Sequence, residues 1–173
     1  MAAIHPSLLA CGLHLGRIAK RLVEEMEAPF RKIAAHGTVF PDQLGGIIIV
    51  DAAAPTQVGI DLPEVPRLII DHHATNGWEL REGDYMMQWD VRATTEMVAT
   101  YMFQHAKEAL TSPVRKMLLA GMITDTGRYR HANQSSFAIT SKLLEGSDFD
   151  YAEFCEYIER ETTSPSERGS LLR

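Results

Sequence analysis

Leu8, Cys11, Leu15, Ile18, Leu22 and Met26 recur at alternating spacings of three and four, while Arg17, Lys20, Arg21, Glu24 and Glu25 mostly fill the positions between. That spacing returns to one face of a 3.6-residue helix and predicts an amphipathic helix at the start of the chain. A less regular stretch comes next, up to Gly45-Gly46. Two short isoleucine-rich runs lie beyond it, at 47–50 and 67–70. Continuous apolar runs of that length predict parallel strands buried on both faces. Residues 84–89 predict a third, edge-like strand. Helical spacing then returns over 93–110, with Met97, Val98, Tyr101, Met102 and His105 on one side. Ser112-Pro113 predicts the next helix, with serine as N-cap and proline at the first helical position; Met117, Leu118 and Met122 form its apolar face. Ser135 or Ser136 caps a helix ending at Gly146. Asp150 and Glu153 have cap-and-N3 spacing for a last helix through Tyr151, Phe154 and Ile158. Strands alternating with helices predict an α/β fold, a doubly wound and mainly parallel sheet with helices on both faces. The domain is expected over residues 1–160, with 161–173 a polar tail or the start of an interdomain linker.

Length and charge narrow the function. A chain of 173 residues suits one domain. A net charge of −6 argues against a broad basic face for duplex nucleic acid. A short nucleotide or a single-stranded end stays open, because a bound dication with a few arginines supplies positive charge locally. No apolar run reaches the ~20 residues that span a bilayer, and Met1–Pro6 has no signal-peptide pattern. Cys11 and Cys155 lie far apart and are expected to be reduced thiols of a cytoplasmic protein.

Three segments carry candidate chemistry. The first strand runs into Asp51, which alone reads as a ligand or a turn residue. The second runs into Asp71-His72-His73, an acid and two imidazoles where an open α/β sheet binds its ligands. The third, Gly121-Met122-Ile123-Thr124-Asp125-Thr126-Gly127-Arg128-Tyr129-Arg130, reads as a polar helix-ending turn or as a third carboxylate with arginines placed for a phosphate. Together they make an Asp/His/Asp site suited to Mn²⁺ or Zn²⁺. A carboxylate beside a ligating imidazole can also fix its tautomer.

In order, Val50-Asp51, Asp71-His72-His73 and Thr124-Asp125-Thr126-Gly127-Arg128-Tyr129 resemble the second, third and fourth motifs of the DHH phosphoesterases. Ala93-Thr94-Thr95-Glu96-Met97 resembles the Ser-Thr-Ala-Glu-Leu helix start between the last two. Asn133-Gln134-Ser135 and Leu143-Leu144-Glu145-Gly146 resemble the family's segments on the C-terminal side of the fourth motif. The resemblance covers most of residues 5–160. The family includes oligoribonucleases, phosphatases of 3′-phosphoadenosine phosphate, cyclic-dinucleotide phosphodiesterases, single-strand exonucleases and manganese pyrophosphatases. It implies a phosphoesterase dependent on one or two Mn²⁺ ions, with Mg²⁺ or Zn²⁺ as substitutes. Metal ions would clamp phosphoryl oxygens while water attacks phosphorus. By the same resemblance Asp51, His72 and Asp125 hold metal, Asp71 orients an imidazole, and His73 faces the phosphate. Phosphate roles for Arg128 and Arg130 are inferred from their charge alone.

The family's first motif is a strand followed by His-x-x-x-Asp-x-Asp. Here the helix after it aligns, over Ser7–Leu15, but His5-Pro6-Ser7 stands where Asp-Pro-Asp is expected. Three readings stay open: His5 replaces one carboxylate as a metal ligand, the fold survives with catalysis lost, or the chain is a piece of a longer protein. The first strand of the sheet is expected to be missing. An uncovered sheet edge would favour a homodimer. A weakened phosphoesterase of short nucleotides is the first functional expectation. A catalytically inactive DHH-fold module that binds a nucleotide or a partner protein is the second.

Overall fold

The computed structural model describes residues 10–11, 15–28, 30–32 and 40–160. Two very short strands, β1 (Ala10–Cys11) and β2 (Arg31–Lys32), pair in parallel. Between them lies helix α1 (Arg17–Glu25). The main sheet has β3 (Ile47–Val50), β4 (Arg67–Asp71) and β5 (Tyr85–Gln88), all parallel and in that order. A single helical turn, α2 (Pro55–Val58), lies in the β3–β4 connection. Four helical stretches complete the described chain: α3 (Thr94–His105), α4 (Ser112–Asp125), α5 (Gln134–Leu144) and α6 (Tyr151–Glu159). The α/β class with a parallel sheet is as expected.

Several boundaries differ from the sequence expectation. The first helix starts at Arg17, behind Gly16 as its N-cap, and Cys11 belongs to a strand. The three-and-four spacing before residue 16 therefore does not report a helix throughout. The helix over 93–110 divides at Ala106, where φ of −150° leaves the helical region and a 3₁₀ turn (Lys107–Ala109) begins. Thr111, one residue before Ser112, holds the N-cap position of α4, without a side-chain capping bond. Asn133 caps α5 and Ser136 sits three positions in; each side chain satisfies the other's backbone N–H, a reciprocal capping box. The cap of α6 is as expected, with Asp150 accepting from the Glu153 N–H at 2.9 Å.

Among the described residues, the fully buried apolar positions of the sheet lie on one face, and on the other only Leu68 and Ile70 of β4 are half-buried. Ile49 and Ile69 point into a cluster with Ala52 and Trp78. Trp78 Nε1 donates to the Ala52 carbonyl at 2.7 Å, which fixes the chain just beyond Asp51. On the opposite face Ile48 and Val50 are 42% and 49% exposed, and Tyr85 and Met87 are exposed in register with them. Period-two alternation decides this, since neighbouring strand residues point to opposite faces. The continuous isoleucine run hides that alternation. At the start of β4 and β5, Asp84 accepts from the Arg67 backbone and Nε and from the Arg81 backbone, each at 2.9 Å.

The larger core lies among the helices. Met97 and Ala99 of α3, Leu119 and Met122 of α4, and Leu143 of α5 are all but closed to solvent. The crossing of α3 and α4 depends on one glycine: a Cβ on Gly121 would lie 2.4 Å from Thr95 Cγ2. That contact fixes the first turn of α3 against α4, whose last residue is Asp125.

Candidate metal centre

Asp51 lies just past β3 with φ of +61°, a left-handed conformation uncommon for a residue other than glycine. Its N–H still joins the ladder, donating to the Ile70 carbonyl at 2.9 Å. Backbone pairing and side-chain direction are thus set separately. The carboxylate receives a 2.7 Å hydrogen bond from Thr94 Oγ1, on the first turn of α3, at Oδ1. The same Oδ1 lies 3.6 Å from His72 Nε2.

β4 ends on Asp71, which is closed to solvent. Beyond it the chain turns, and the two imidazoles sit with centroids 4.6 Å apart, tilted by 47°. His72 Nδ1 lies 3.3 Å from the Val91 carbonyl. A carbonyl only accepts, so Nδ1 carries a proton, which leaves Nε2, on the Asp51 side, as the ring atom placed to ligate. His73 Nδ1 donates to Asp71 Oδ1 at 2.7 Å, and the His73 backbone N–H to the other Asp71 oxygen at 3.3 Å. Gln88, beside Asp71 in the β5 register, donates its amide to the His73 carbonyl.

One ligand atom from each of Asp51, His72 and His73 falls in a group no wider than 4.8 Å. Carboxylate and neutral imidazoles are good donors for a divalent transition metal, and their outer-shell partners fix both rings. The donor set therefore fits a metal. Asp125 closes α4 nearby, outside that tight group. Partial burial, then the negative charge of Asp51, pushes the Asp125 carboxyl above its ordinary pKa, and the two imidazoles oppose that. His73 is also pushed up, first by its bond to Asp71 and then by the charges of Asp71, Asp51 and Asp125; its own burial works the other way. Asp51, His72, His73 and Asp125 therefore share one electrostatic neighbourhood.

The arginines are arranged differently from each other. Gly127, Arg128 and Tyr129 all have positive φ, forming a left-handed turn after α4. The Thr126 side chain caps that turn by accepting from the Tyr129 N–H at 2.9 Å. The turn carries Arg128 to Glu159 on α6, where Nε meets the carboxylate at 2.9 Å. Arg130 is exposed. His5, with the rest of the first-motif segment, lies outside the described residues. Two participants went unassigned in the sequence. Val91 acts through its carbonyl, which no side-chain pattern signals. Thr94 lay within a segment whose likeness was visible, but the spacing gave no reason to connect it with Asp51.

No family model matches the sequence. Over 114 residues the chain is 26% identical to an uncharacterized protein of Methanocaldococcus jannaschii, covering 64% of this chain and 34% of that one. A crystal structure of a Methanococcus jannaschii protein classed as a family II inorganic pyrophosphatase superposes with a TM-score of 0.67 at 19% identity, over 91% of this chain and 53% of the other. An exopolyphosphatase-related protein from Bacteroides fragilis gives 0.62 at 15% identity, over 88% and 54%. The chain thus spans about a third of that curated relative and about half of each structure. At these identities what this chain shares with both structures is the fold.

Proposed function

We propose that this chain is a DHH-type, divalent-metal-dependent phosphoesterase domain that hydrolyses phosphate esters of short nucleotides, with Mn²⁺ as its metal. The observation that carries the reading is the convergence of Asp51, His72 and His73 at the C-terminal ends of two adjacent parallel strands. That edge is the ligand-binding side of an open α/β sheet. Likeness in fold to a pyrophosphatase-class and an exopolyphosphatase-related protein supports phosphoryl chemistry.

In this reading Asp51, His72 and Asp125 hold metal, and His5 is a further ligand from the first-motif segment. A bound dication supplies charge neutralisation at the phosphoryl oxygens and acidifies water. The chain's own groups do the rest. Asp71 keeps the His73 proton on Nδ1, which aims Nε2 outward toward the phosphate. Val91 does the same for His72. Arg130 adds positive charge at the phosphate, and Arg128 joins it on leaving Glu159.

The test is to load the protein with Mn²⁺, count bound metal per chain, and assay a dinucleotide, a nucleoside bisphosphate, pyrophosphate and a short polyphosphate. Metal-dependent turnover of the nucleotides that Asp125→Ala abolishes is the expected result. Metal uptake without turnover of any substrate would instead favour the inactive binding module. Turnover of pyrophosphate or polyphosphate alone would overturn the nucleotide assignment.

A further inference from the structure

Thr94 is only 2% exposed, and its hydroxyl is not used to cap its own helix. The N-cap of α3 is Ala93, which has no side-chain oxygen to offer. The helix start is served by Glu96, whose Oε1 accepts from the Arg92 N–H at 3.1 Å. That oxygen also accepts from Ser136 Oγ at 2.8 Å, tying α3 to the capped end of α5. The Thr94 hydroxyl is left to reach 43 positions along the chain, to Asp51 Oδ1 at 2.7 Å.

Its neighbour makes that reach rigid. Thr95 is held against Gly121 so closely that no side chain fits between them. The Thr94-Thr95 pair thus has one residue bonded to the end of β3 and the other wedged on α4, four residues before Asp125. Asp51 itself has a left-handed backbone and a side chain that is 46% exposed. A carboxylate that exposed changes rotamer readily unless a partner fixes it. A hydrogen bond from a buried, fixed hydroxyl does so.

We propose that Thr94 is a positioning residue for the metal centre, orienting the Asp51 carboxylate toward His72 and coupling its placement to α4. The assignment rests on the metal-centre reading above. Thr94 is not itself a ligand: its hydroxyl donates to the carboxylate and orders it before metal arrives, as outer-shell partners do.

The experiment is Mn²⁺ binding by titration calorimetry on the full chain, for wild type, Thr94→Val and Thr94→Ser, with melting curves of each metal-free protein. Valine keeps the shape and removes the hydroxyl, whereas serine keeps the hydroxyl. Thr94→Val is expected to weaken Mn²⁺ by about 10–100-fold, the usual effect of losing an outer-shell partner, and Thr94→Ser to restore most of it. In an Asp51→Ala background, Thr94→Val should cost no further affinity, because the group it acts through has gone. Wild-type affinity in Thr94→Val, or equal weakening in Thr94→Ser, would overturn the positioning role while leaving the metal centre intact. Failure of the wild type to bind Mn²⁺ would remove the metal-centre reading itself, and this role with it. If Thr94→Val fails to fold, Thr94→Ala replaces it as the hydroxyl-free variant, with weakened Mn²⁺ binding expected and wild-type affinity overturning the role.

Discussion

Asp71 accepts a 2.7 Å hydrogen bond from His73 Nδ1 while itself closed to solvent. A buried carboxylate is costly unless satisfied, and this one takes both the ring and the backbone N–H of His73. The pair is therefore a unit: the aspartate has a reason to be buried, and the imidazole is held in one tautomer.

The first prediction concerns the charge on that ring. Hydrogen bonding to Asp71 raises the His73 pKa above its ordinary value of 6.5. Because the folded value exceeds the unfolded one, protonated His73 stabilises the metal-free fold fully below about pH 6.5, and that contribution is lost as pH rises through the folded pKa. A proton titration of the His73 ring by NMR should show its midpoint above 6.5. Asp71→Asn should bring it down. An unchanged His73 midpoint in Asp71→Asn would refute the role given to Asp71. Asp125 must be ionised to hold metal, and its carboxyl is pushed above its ordinary value, so Mn²⁺ affinity should fall on acidification.

Asp125 should show opposite effects of one substitution. Its carboxyl is pushed up by partial burial and by the charge of Asp51, so at neutral pH its ionised form burdens the metal-free protein. By linkage, a folded pKa above the unfolded one means that stability is gained as pH falls and lost as pH rises. Asp125→Asn should therefore raise the melting temperature of metal-free protein at pH 7.5 and leave it nearly unchanged near pH 4. The same variant should bind Mn²⁺ more weakly. A lower metal-free melting temperature at pH 7.5 would contradict the electrostatic account.

Gly121 supplies a purely structural test. An added Cβ would lie 2.4 Å from Thr95 Cγ2, so α3 and α4 must move apart or Thr95 must leave its rotamer. Overpacking of this kind costs about 1–3 kcal/mol, or roughly 2–4 °C of melting temperature per kcal/mol in a domain of this size. Gly45→Ala is the control, since nothing lies within 4 Å of its Cβ position. If the contact also sets the site, Gly121→Ala should weaken Mn²⁺ binding as well, by displacing Thr94 and Asp125.

How much of this was visible in the sequence depends on the kind of interaction. The strands at 47–50 and 67–70 were legible because isoleucine runs of that length have few other uses. Asp51 and Asp71-His72-His73 were then placed by simple continuation of those strands. Asp150 was legible as a cap because its partner, the Glu153 N–H, is three residues away. The uncovered sheet face was not, because burial on the second face depends on what packs there. The division of 93–110 at Ala106 was hidden for a similar reason: alanine favours the helix it leaves. The pairing of Arg128 with Glu159 depends on three successive left-handed residues, and only Gly127 signals such a turn.

The last prediction separates what Asp51 does for function from what it costs the fold. With φ of +61°, the residue occupies a conformation that suits glycine and strains a side chain. Its presence there is best explained by the carboxylate, not by the backbone. Two truncations remove that carboxylate equally. Both leave the Thr94 hydroxyl without its acceptor, and both relieve the repulsion on Asp125. They differ in the backbone: Asp51→Ala keeps a Cβ in the left-handed region, whereas Asp51→Gly does not. The glycine variant should therefore be the more stable of the two by about 1 kcal/mol, the order of the left-handed penalty for a residue with a Cβ. Urea unfolding of the metal-free proteins at one pH measures the difference directly, because the shared losses cancel. Both variants should lose high-affinity Mn²⁺ binding. An alanine variant as stable as glycine would show that Asp51 adopts its left-handed backbone without strain. Retained metal affinity in either would remove Asp51 from the ligand set.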